Sequence, residues 1–174
     1  MKNFFLGMLF LVMGTVVVAQ QPDQRGYIVK VGEQVPEFEM TLMDGSKVKM
    51  SELRGKVVML QFTASWCGVC RKEMPFIEKE IWQVHKNKDF ALFGLDRDEP
   101  REKAQKLIDA TKITYPIALD KGAGIFTKFA HKKSGVTRNV IVDRDGKIVF
   151  MTRLYEREEF NQMKKVIEKL LQNK

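Results

Sequence analysis

Apolar and polar residues alternate along several short stretches in the first third of the chain. The alternation over residues 38–42 is followed by a turn signal at Asp44-Gly45, so we predict a hairpin over residues 37–50. Residues 57–62 are apolar almost without interruption, which is typical of a central strand that is covered on both faces. This part of the chain therefore predicts a sheet with an added hairpin at its N-terminal end.

In the rest of the chain, segments with a helical spacing of apolar residues alternate with predicted strands. It predicts helices over residues 68–85, 101–112 and 156–172, and a closing hairpin over residues 140–151. Pro75 lies inside the first of these helices and should kink it, because proline removes a backbone donor. Strands that alternate with helices predict an α/β fold with a central mixed sheet flanked by helices.

The start of the chain differs in composition from the rest. A positively charged start precedes an apolar run over residues 4–18, and Ala19 ends a plausible cleavage site. We predict a secretory signal peptide at residues 1–19, an irregular arm at residues 20–34 and one domain over residues 35–174. The export signal predicts a periplasmic location. The apolar run is short for a membrane span, which needs about 20 residues, so an uncleaved membrane anchor is the alternative.

The charge of the chain gives little information about its partners. The 174 residues have a formal net charge of +8, and the basic residues are interleaved with acidic ones, as on a solvated surface. We find neither a basic recognition helix nor a basic-aromatic strand pattern, so we expect no nucleic-acid partner. A domain of this size buries a core large enough to fold without disulfides, and we expect a monomer.

Cys67 and Cys70 are the only two cysteines of the chain, and they lie between the central strand and the helix that follows it. They are therefore predicted at a helix N-terminus, where unpaired N–H groups and the helix dipole favour negative charge. A thiol in that position loses its proton more easily than a free cysteine does. Because the thiolate is the nucleophile in disulfide exchange, we expect Cys67 to attack and Cys70 to resolve.

Three other interpretations of the cysteine pair stay open. A structural disulfide would close a very short loop, so it would stabilise the fold only weakly. A zinc site needs four ligands, and the chain has only His85 and His131 besides the cysteines, without finger-like spacing. Haem attachment needs a histidine directly after the second cysteine, where this chain has Arg71. We favour a redox-active pair that uses no metal, no haem and no other cofactor.

Taken together, these features resemble the thioredoxin superfamily. The resemblance rests on the buried strand, the motif Trp-Cys-Gly-Val-Cys at residues 66–70, the helix with its proline, and the run Val-Asp-Arg-Asp-Gly-Lys-Ile at residues 142–148. The added N-terminal hairpin and an insertion over residues 96–130 are similar to the exported TlpA/ResA-like branch. The resemblance implies a thioredoxin-like fold and a thiol-disulfide oxidoreductase that exchanges disulfides with other proteins.

The resemblance also implies roles for single residues. Cys67 matches the nucleophilic cysteine and Cys70 the resolving one, while Trp66 matches the tryptophan beside the motif. Glu73 matches an acid that transfers a proton in ResA-like members, and its spacing from Cys70 places both side chains on one side of a helix. The alternatives are an ordinary packing role for Trp66 and a solvated surface position for Glu73.

Two departures from the family pattern affect the expected site. Thr137 occupies the position of the usual cis-proline in the loop that faces the cysteines. A cis bond before a non-proline residue costs about 2.5–4 kcal/mol, so we expect a trans bond and a changed loop geometry. Gly68-Val69, between the cysteines, lacks the proline that many relatives carry. Because this dipeptide tunes the redox poise, the direction of electron transfer stays open.

Arg138 introduces a second resemblance. Peroxiredoxins share this fold and have an arginine near this loop that stabilises the reacting thiolate. A guanidinium of Arg138 beside Cys67 would favour the thiolate and could orient a peroxide or a carboxylate. The alternative is an arginine on a surface loop.

The leading hypothesis from the sequence is an exported reductase of protein disulfides, which a membrane or soluble electron donor reduces again. One alternative is a peroxiredoxin-like thiol peroxidase, which should consume peroxide much faster than free cysteine does. The other is a non-enzymatic binding module with the same fold, whose disulfide should be slow to exchange and have a potential below about −300 mV.

Overall fold

The computed structural model describes residues 23–172. The predicted signal peptide, residues 1–19, and the first three residues of the predicted arm lie outside the described residues. The rest of the arm consists of turns held to the domain by two isolated bridges, which pair Tyr27 with Ala130 and Gln34 with Lys147. No helix within residues 23–172 has both the length and the apolar character needed to cross a membrane.

Strands and helices alternate through most of the described chain. The strands are β1 (Glu39–Leu42), β2 (Lys47–Lys49), β3 (Val57–Thr63), β4 (Phe90–Arg97), β5 (Ile117–Asp120), β6 (Arg138–Val142) and β7 (Ile148–Arg153). The α-helices are α1 (Gly68–Ile77), α2 (Gln83–His85), α3 (Arg101–Thr111), α4 (Phe126–Phe129) and α5 (Arg157–Gln172). Short 3-10 turns at Met50–Leu53 and Lys121–Ala123 complete the elements, together with a wide π turn at Glu78–Trp82.

The strands form one mixed sheet in the order β2-β1-β5-β4-β3-β6-β7. β3 lies inside the sheet, parallel to β4 and antiparallel to β6, and all of its residues are buried. The predicted hairpins are confirmed as β1–β2 and β6–β7, both antiparallel. The predicted thioredoxin-like α/β architecture is therefore confirmed.

Alternate residues of β3 pack into two separate cores, because successive side chains of a strand point to opposite faces. Val57 and Met59 pack with the buried faces of α1, α3 and α5. Leu60 and Phe62 pack on the other face, together with α4 and the arm. The cysteine turn follows β3 directly, so both cores fix its position.

The helix after the cysteines is interrupted, although not at the predicted place. Its α-helical part includes Pro75 and continues to Ile77, and the π turn then widens the helix at Glu78–Trp82. The N–H of Glu78 reaches the carbonyls of Met74 and Pro75. Pro75 thus stays within the α-helical part, and the irregularity that the structure shows lies about one turn after it.

Candidate active site

Cys67 occupies the N-cap position of α1, as the sequence predicts. Its backbone is extended, with φ −86° and ψ 100°, and its Sγ accepts a hydrogen bond of 3.1 Å from the backbone N–H of Cys70. That N–H belongs to the first turn of the helix, whose N–H groups have no carbonyl partner within the helix. A negative charge on this sulfur would therefore be stabilised by the N–H group and by the helix dipole.

Cys67 and Cys70 form a disulfide, with their Cα atoms 5.3 Å apart. Cys67 is 7% exposed, whereas Cys70 is fully buried, with its Sγ 3.9 Å from the carbonyl oxygen of Phe62. Of the two cysteine residues, only Cys67 has any surface that an incoming disulfide could approach. The difference in exposure fits the expected division between an attacking and a resolving cysteine.

The hydroxyl of Thr137 faces both sulfurs. Its Oγ1 lies 3.1 Å from Sγ of Cys67 and 3.3 Å from Sγ of Cys70. The backbone carbonyl of Thr137 accepts hydrogen bonds from the N–H of Leu154 and from the guanidinium of Arg153, both at 3.2 Å, which fixes the loop to the end of β7. No peptide bond within residues 23–172 is cis, which confirms the expected trans bond at this position.

Glu73 lies one turn after Cys70 and points to the sheet. It is only 2% exposed, so the predicted alternative of a solvated surface charge is wrong. Its Oε1 accepts a 2.7 Å hydrogen bond from the side-chain amide of Asn139. Burial raises the pKa of Glu73 to about 7, although the amides of Asn139 and Gln61 counteract this rise. The carboxyl can therefore gain or lose a proton near neutral pH.

Glu73 covers a row of buried polar side chains that the sequence analysis missed. Gln61, Asn139 and Thr152 are register neighbours across β3, β6 and β7. Asn139 donates to Oγ1 of Thr152 at 2.9 Å, and the hydroxyl of Tyr115 donates to Gln61 at 2.6 Å. Gln61 interrupts the apolar run of the central strand, and this interruption was the one signal in the sequence that could have indicated the row.

The ring of Trp66 is 61% exposed beside Cys67, and Val69 is also partly exposed. This exposure excludes a core-packing role for Trp66, whereas the alternative of a surface packing role stays open. The two side chains give the accessible sulfur an apolar border, which is the kind of surface that a protein substrate can cover.

Arg138 was expected beside Cys67, but it does not contact either cysteine. It is fully buried in β6, its guanidinium carbon lies 4.3 Å from the ring centre of Tyr27, and its Nη2 donates to the carbonyl of Arg25 at 2.8 Å. The alternative prediction, an arginine on a surface loop, is wrong as well, because the side chain is fully buried. Thr137 and Arg138 are consecutive in extended chain, so their side chains point to opposite faces, and Thr137 takes the side of the sulfurs.

Ser65 and Glu99 form a further contact of the cysteine turn that the sequence analysis missed. The Glu99 carboxylate accepts hydrogen bonds from the backbone N–H of Ser65 at 2.5 Å and from its hydroxyl at 2.6 Å. Ser65 precedes Cys67 by two residues, so this contact fixes the turn that carries the accessible sulfur. The two residues are far apart in the sequence, and no local pattern relates them.

The chain is similar in sequence and in fold to several known proteins. The family model described as Redoxin matches residues 30–167. A thiol-disulfide oxidoreductase ResA from Bacillus cereus (strain ZK / E33L) is 31% identical over 70% of this chain and 68% of its own length. The solution structure of a putative protein disulfide isomerase from Bacteroides thetaiotaomicron is 60% identical, with a TM-score of 0.83, and the match covers 85% of this chain and 94% of that one. A putative thiol:disulfide interchange protein DsbE from Chlorobium tepidum, 24% identical over 82% of this chain and 99% of its own, has the same fold with a TM-score of 0.73.

Proposed function

The chain belongs to the Redoxin family and is a thiol-disulfide oxidoreductase, and we propose that it reduces protein disulfides outside the cytoplasm with Cys67 as its nucleophile. The observation that carries this assignment is the single accessible sulfur at the N-terminus of α1, with the N–H of Cys70 and the hydroxyl of Thr137 directed at it. Both groups can donate a hydrogen bond to the thiolate form.

Each step of the proposed reaction moves one electron pair. The Cys67 thiolate attacks one sulfur of the substrate disulfide, the substrate S–S bond breaks, and its other sulfur leaves as a thiolate. The thiolate of Cys70 then attacks Cys67 in the mixed disulfide, which releases the second substrate thiol and forms the Cys67–Cys70 bond. Two electrons pass to the substrate, and a membrane or soluble dithiol donor must return them for the next turnover.

Glu73 is proposed as the group that takes the proton of Cys70 before the second step. The buried thiol of Cys70 cannot pass its proton directly to water, since its residue is fully buried. Glu73 is buried on the same helix one turn farther on, and burial brings its pKa to about 7. A carboxyl with that pKa accepts a proton efficiently at neutral pH.

Thr137 is proposed to replace the backbone restraint of a cis-proline by a side-chain contact. Its hydroxyl lies within hydrogen-bonding distance of both sulfurs, so it can donate to whichever of them is anionic. Trp66 is proposed to border the surface on which the substrate docks, because its ring is exposed beside Cys67.

The location and the partners are part of the same proposal. The apolar run over residues 4–18 supports export to the periplasm, where disulfide substrates persist. The substrates are proteins with an accessible disulfide, and we propose that the protein acts as a monomer. Arg138 contacts the arm instead of the sulfurs, so the observation that would have favoured a thiol peroxidase is absent from the described site.

Insulin reduction with dithiothreitol as the electron donor tests the function. We expect the wild type to accelerate precipitation of the reduced insulin B chain and the Cys67→Ser variant to give the uncatalysed rate. Glu102→Gln, which changes an exposed side chain in the first turn of α3, is a suitable control and should behave as the wild type. Equal turnover by the wild type and Cys67→Ser would contradict the proposal.

A further inference from the structure

Asp96 is a buried carboxyl whose environment the reaction does not explain. It lies near the end of β4, is fully buried, and neither of its oxygens has a hydrogen-bond donor within the described part of the chain. Asp120, at the end of the neighbouring strand β5, is different because its two oxygens accept the N–H groups of Ile125 and Phe126. A charged Asp96 without any donor would carry a large desolvation cost.

Apart from burial, the carboxyl of Glu99, three residues farther along the chain, has the strongest influence on the pKa of Asp96. Both oxygens of Glu99 are in turn held by Ser65, through its N–H at 2.5 Å and its hydroxyl at 2.6 Å. Asp96 thus interacts with a carboxyl that is itself hydrogen-bonded to the turn of Cys67. Two carboxyls can share such a contact only while one of them carries a proton.

We propose that Asp96 is a positioning residue: in its protonated form it donates its O–H to Glu99 and thereby holds the Glu99 carboxylate against Ser65, which fixes the turn that carries Cys67. Asp96 contacts neither sulfur nor substrate, so it acts only through Glu99 and Ser65. The geometric part of this inference is independent of the proposed function, and only its consequence for the reactivity of Cys67 rests on that function.

The surroundings determine when this proton is lost. Burial first, and then the charges of Glu99 and Asp120, raise the pKa of Asp96 to about 7. On the outer side, Glu99 faces a cavity of about 580 Å³ whose charged lining residues are Asp98, Arg101 and Lys121. Above neutral pH both Asp96 and Glu99 would be carboxylates. Their repulsion would weaken the hydrogen bonds between Glu99 and Ser65.

The backbone N–H of Ser65 reports directly on this contact. We would record its ¹H and ¹⁵N chemical shifts in the full chain, in the disulfide form so that neither cysteine titrates, from pH 5.5 to 8.5. The wild type should show an inflection near pH 7. Asp96→Asn keeps a donor for Glu99 but cannot titrate, so the inflection should disappear while the shift stays near its low-pH value.

Two further variants keep the test decisive. Glu102→Gln removes an exposed carboxylate three residues after Glu99 and should retain the inflection. Glu99→Gln leaves Ser65 with a neutral partner, so the inflection should move below pH 7 and the Ser65 N–H should exchange with solvent roughly tenfold faster. An inflection that persists in Asp96→Asn, a wild type without one, or a Glu99→Gln protein with unchanged exchange would overturn the proposal. None of these readouts requires activity, so they separate this inference from the proposed function.

A second readout connects the contact to the chemistry. The rate of alkylation of reduced Cys67 by iodoacetamide, measured against pH in the Cys70→Ser background, should show a shoulder near pH 7 that Asp96→Asn removes. Superimposable profiles for the two proteins would show that the Asp96 proton does not act on Cys67.

Discussion

Two buried carboxyls lie near the cysteine turn, Glu73 on α1 and Asp96 near the end of β4. Burial raises the pKa of each to about 7, yet their environments are opposite. Glu73 accepts a hydrogen bond from the amide of Asn139, whereas Asp96 has no hydrogen-bond donor within residues 23–172 and interacts with the Glu99 carboxyl. We propose that these similar pKa values serve different purposes, proton transfer by Glu73 and the positioning of the cysteine turn by Asp96.

Both carboxyls have the same effect on stability. A folded-state pKa above the unfolded value of about 4 means that the folded protein binds more protons than the unfolded chain between about pH 4 and pH 7. The free energy of unfolding must then decrease as the pH rises through that window. Each carboxyl is therefore a cost to the fold at neutral pH, which its role in the reaction or in positioning would explain.

The largest expected difference between the two carboxyls is in the rate of substrate release. Glu73→Gln removes the group proposed to take the Cys70 proton, so release of a substrate from the mixed disulfide should slow by about a hundredfold at pH 7. Asp96→Asn should change the same rate by less than about fivefold, since it acts only through the position of the turn. Stopped-flow release of a fluorescent thiol from Cys67 measures both rates. Equal losses of rate in the two variants would contradict the different roles proposed for Glu73 and Asp96.

The next effect is on stability. Asp96→Asn removes the ionisation cost and keeps a donor to Glu99, so the free energy of unfolding at pH 8 should rise by about 2 kcal/mol and change little at pH 4. Glu73→Gln should gain less, because a pKa of about 7 lies nearer to the ordinary value of a glutamate than to that of an aspartate. Urea unfolding at pH 4 and pH 8 measures both. A wild-type stability that stays flat between these pH values would contradict the burial argument for either carboxyl.

Thr137→Val gives a smaller effect, on the nucleophile itself. It removes the hydroxyl that lies 3.1 Å from Cys67 and keeps the shape of the side chain. Loss of one donor to the thiolate should slow alkylation of Cys67 at pH 7 by about fivefold. Thr127→Val, an exposed change in α4, serves as the control and should leave the rate as it is. A Thr137→Val protein that reacts as fast as the wild type would mean that the hydroxyl does not act on the thiolate.

The smallest expected effect concerns the polar row behind Glu73. Tyr115→Phe removes the hydroxyl that donates to Gln61 and leaves that amide oxygen buried without a donor. The free energy of unfolding should fall by about 1 kcal/mol. The rate of substrate release from the mixed disulfide should change little. Urea unfolding and the stopped-flow assay check the two parts. A large kinetic loss would place Tyr115 in the proton-transfer path, which the comparison assigns to Glu73 alone.

Local patterns were enough to predict most of the fold and the core of the site. The buried run of β3 and the helical spacing after it located the cysteine pair at a helix N-terminus, which the structure confirms. The spacing between Cys70 and Glu73 predicted a shared side, but not that β6 and β7 would close over the carboxyl. Burial depends on strand pairing, which a single sequence does not display.

Arg138 and Glu99 show why the rest could not be predicted. Arg138 was expected at the sulfurs, but the loop enters β6 so that Thr137 takes that side, and one residue of register reverses every side chain. Glu99 reaches Ser65 only because β3 and β4 are adjacent and parallel, so that Thr63 is paired with Asp96. Contacts of this kind depend on the sheet as a whole.

Trapping of the mixed disulfide tests the central claim most directly. Reduced Cys70→Ser and reduced Cys67→Ser proteins would each be mixed with an unfolded protein that contains one disulfide, and the adducts would be identified by mass spectrometry. The account predicts a stable adduct through Cys67 in the first protein and almost none through the buried Cys70 in the second. Equal adducts in both, or an adduct only through Cys70, would contradict the assignment of Cys67 as the nucleophile.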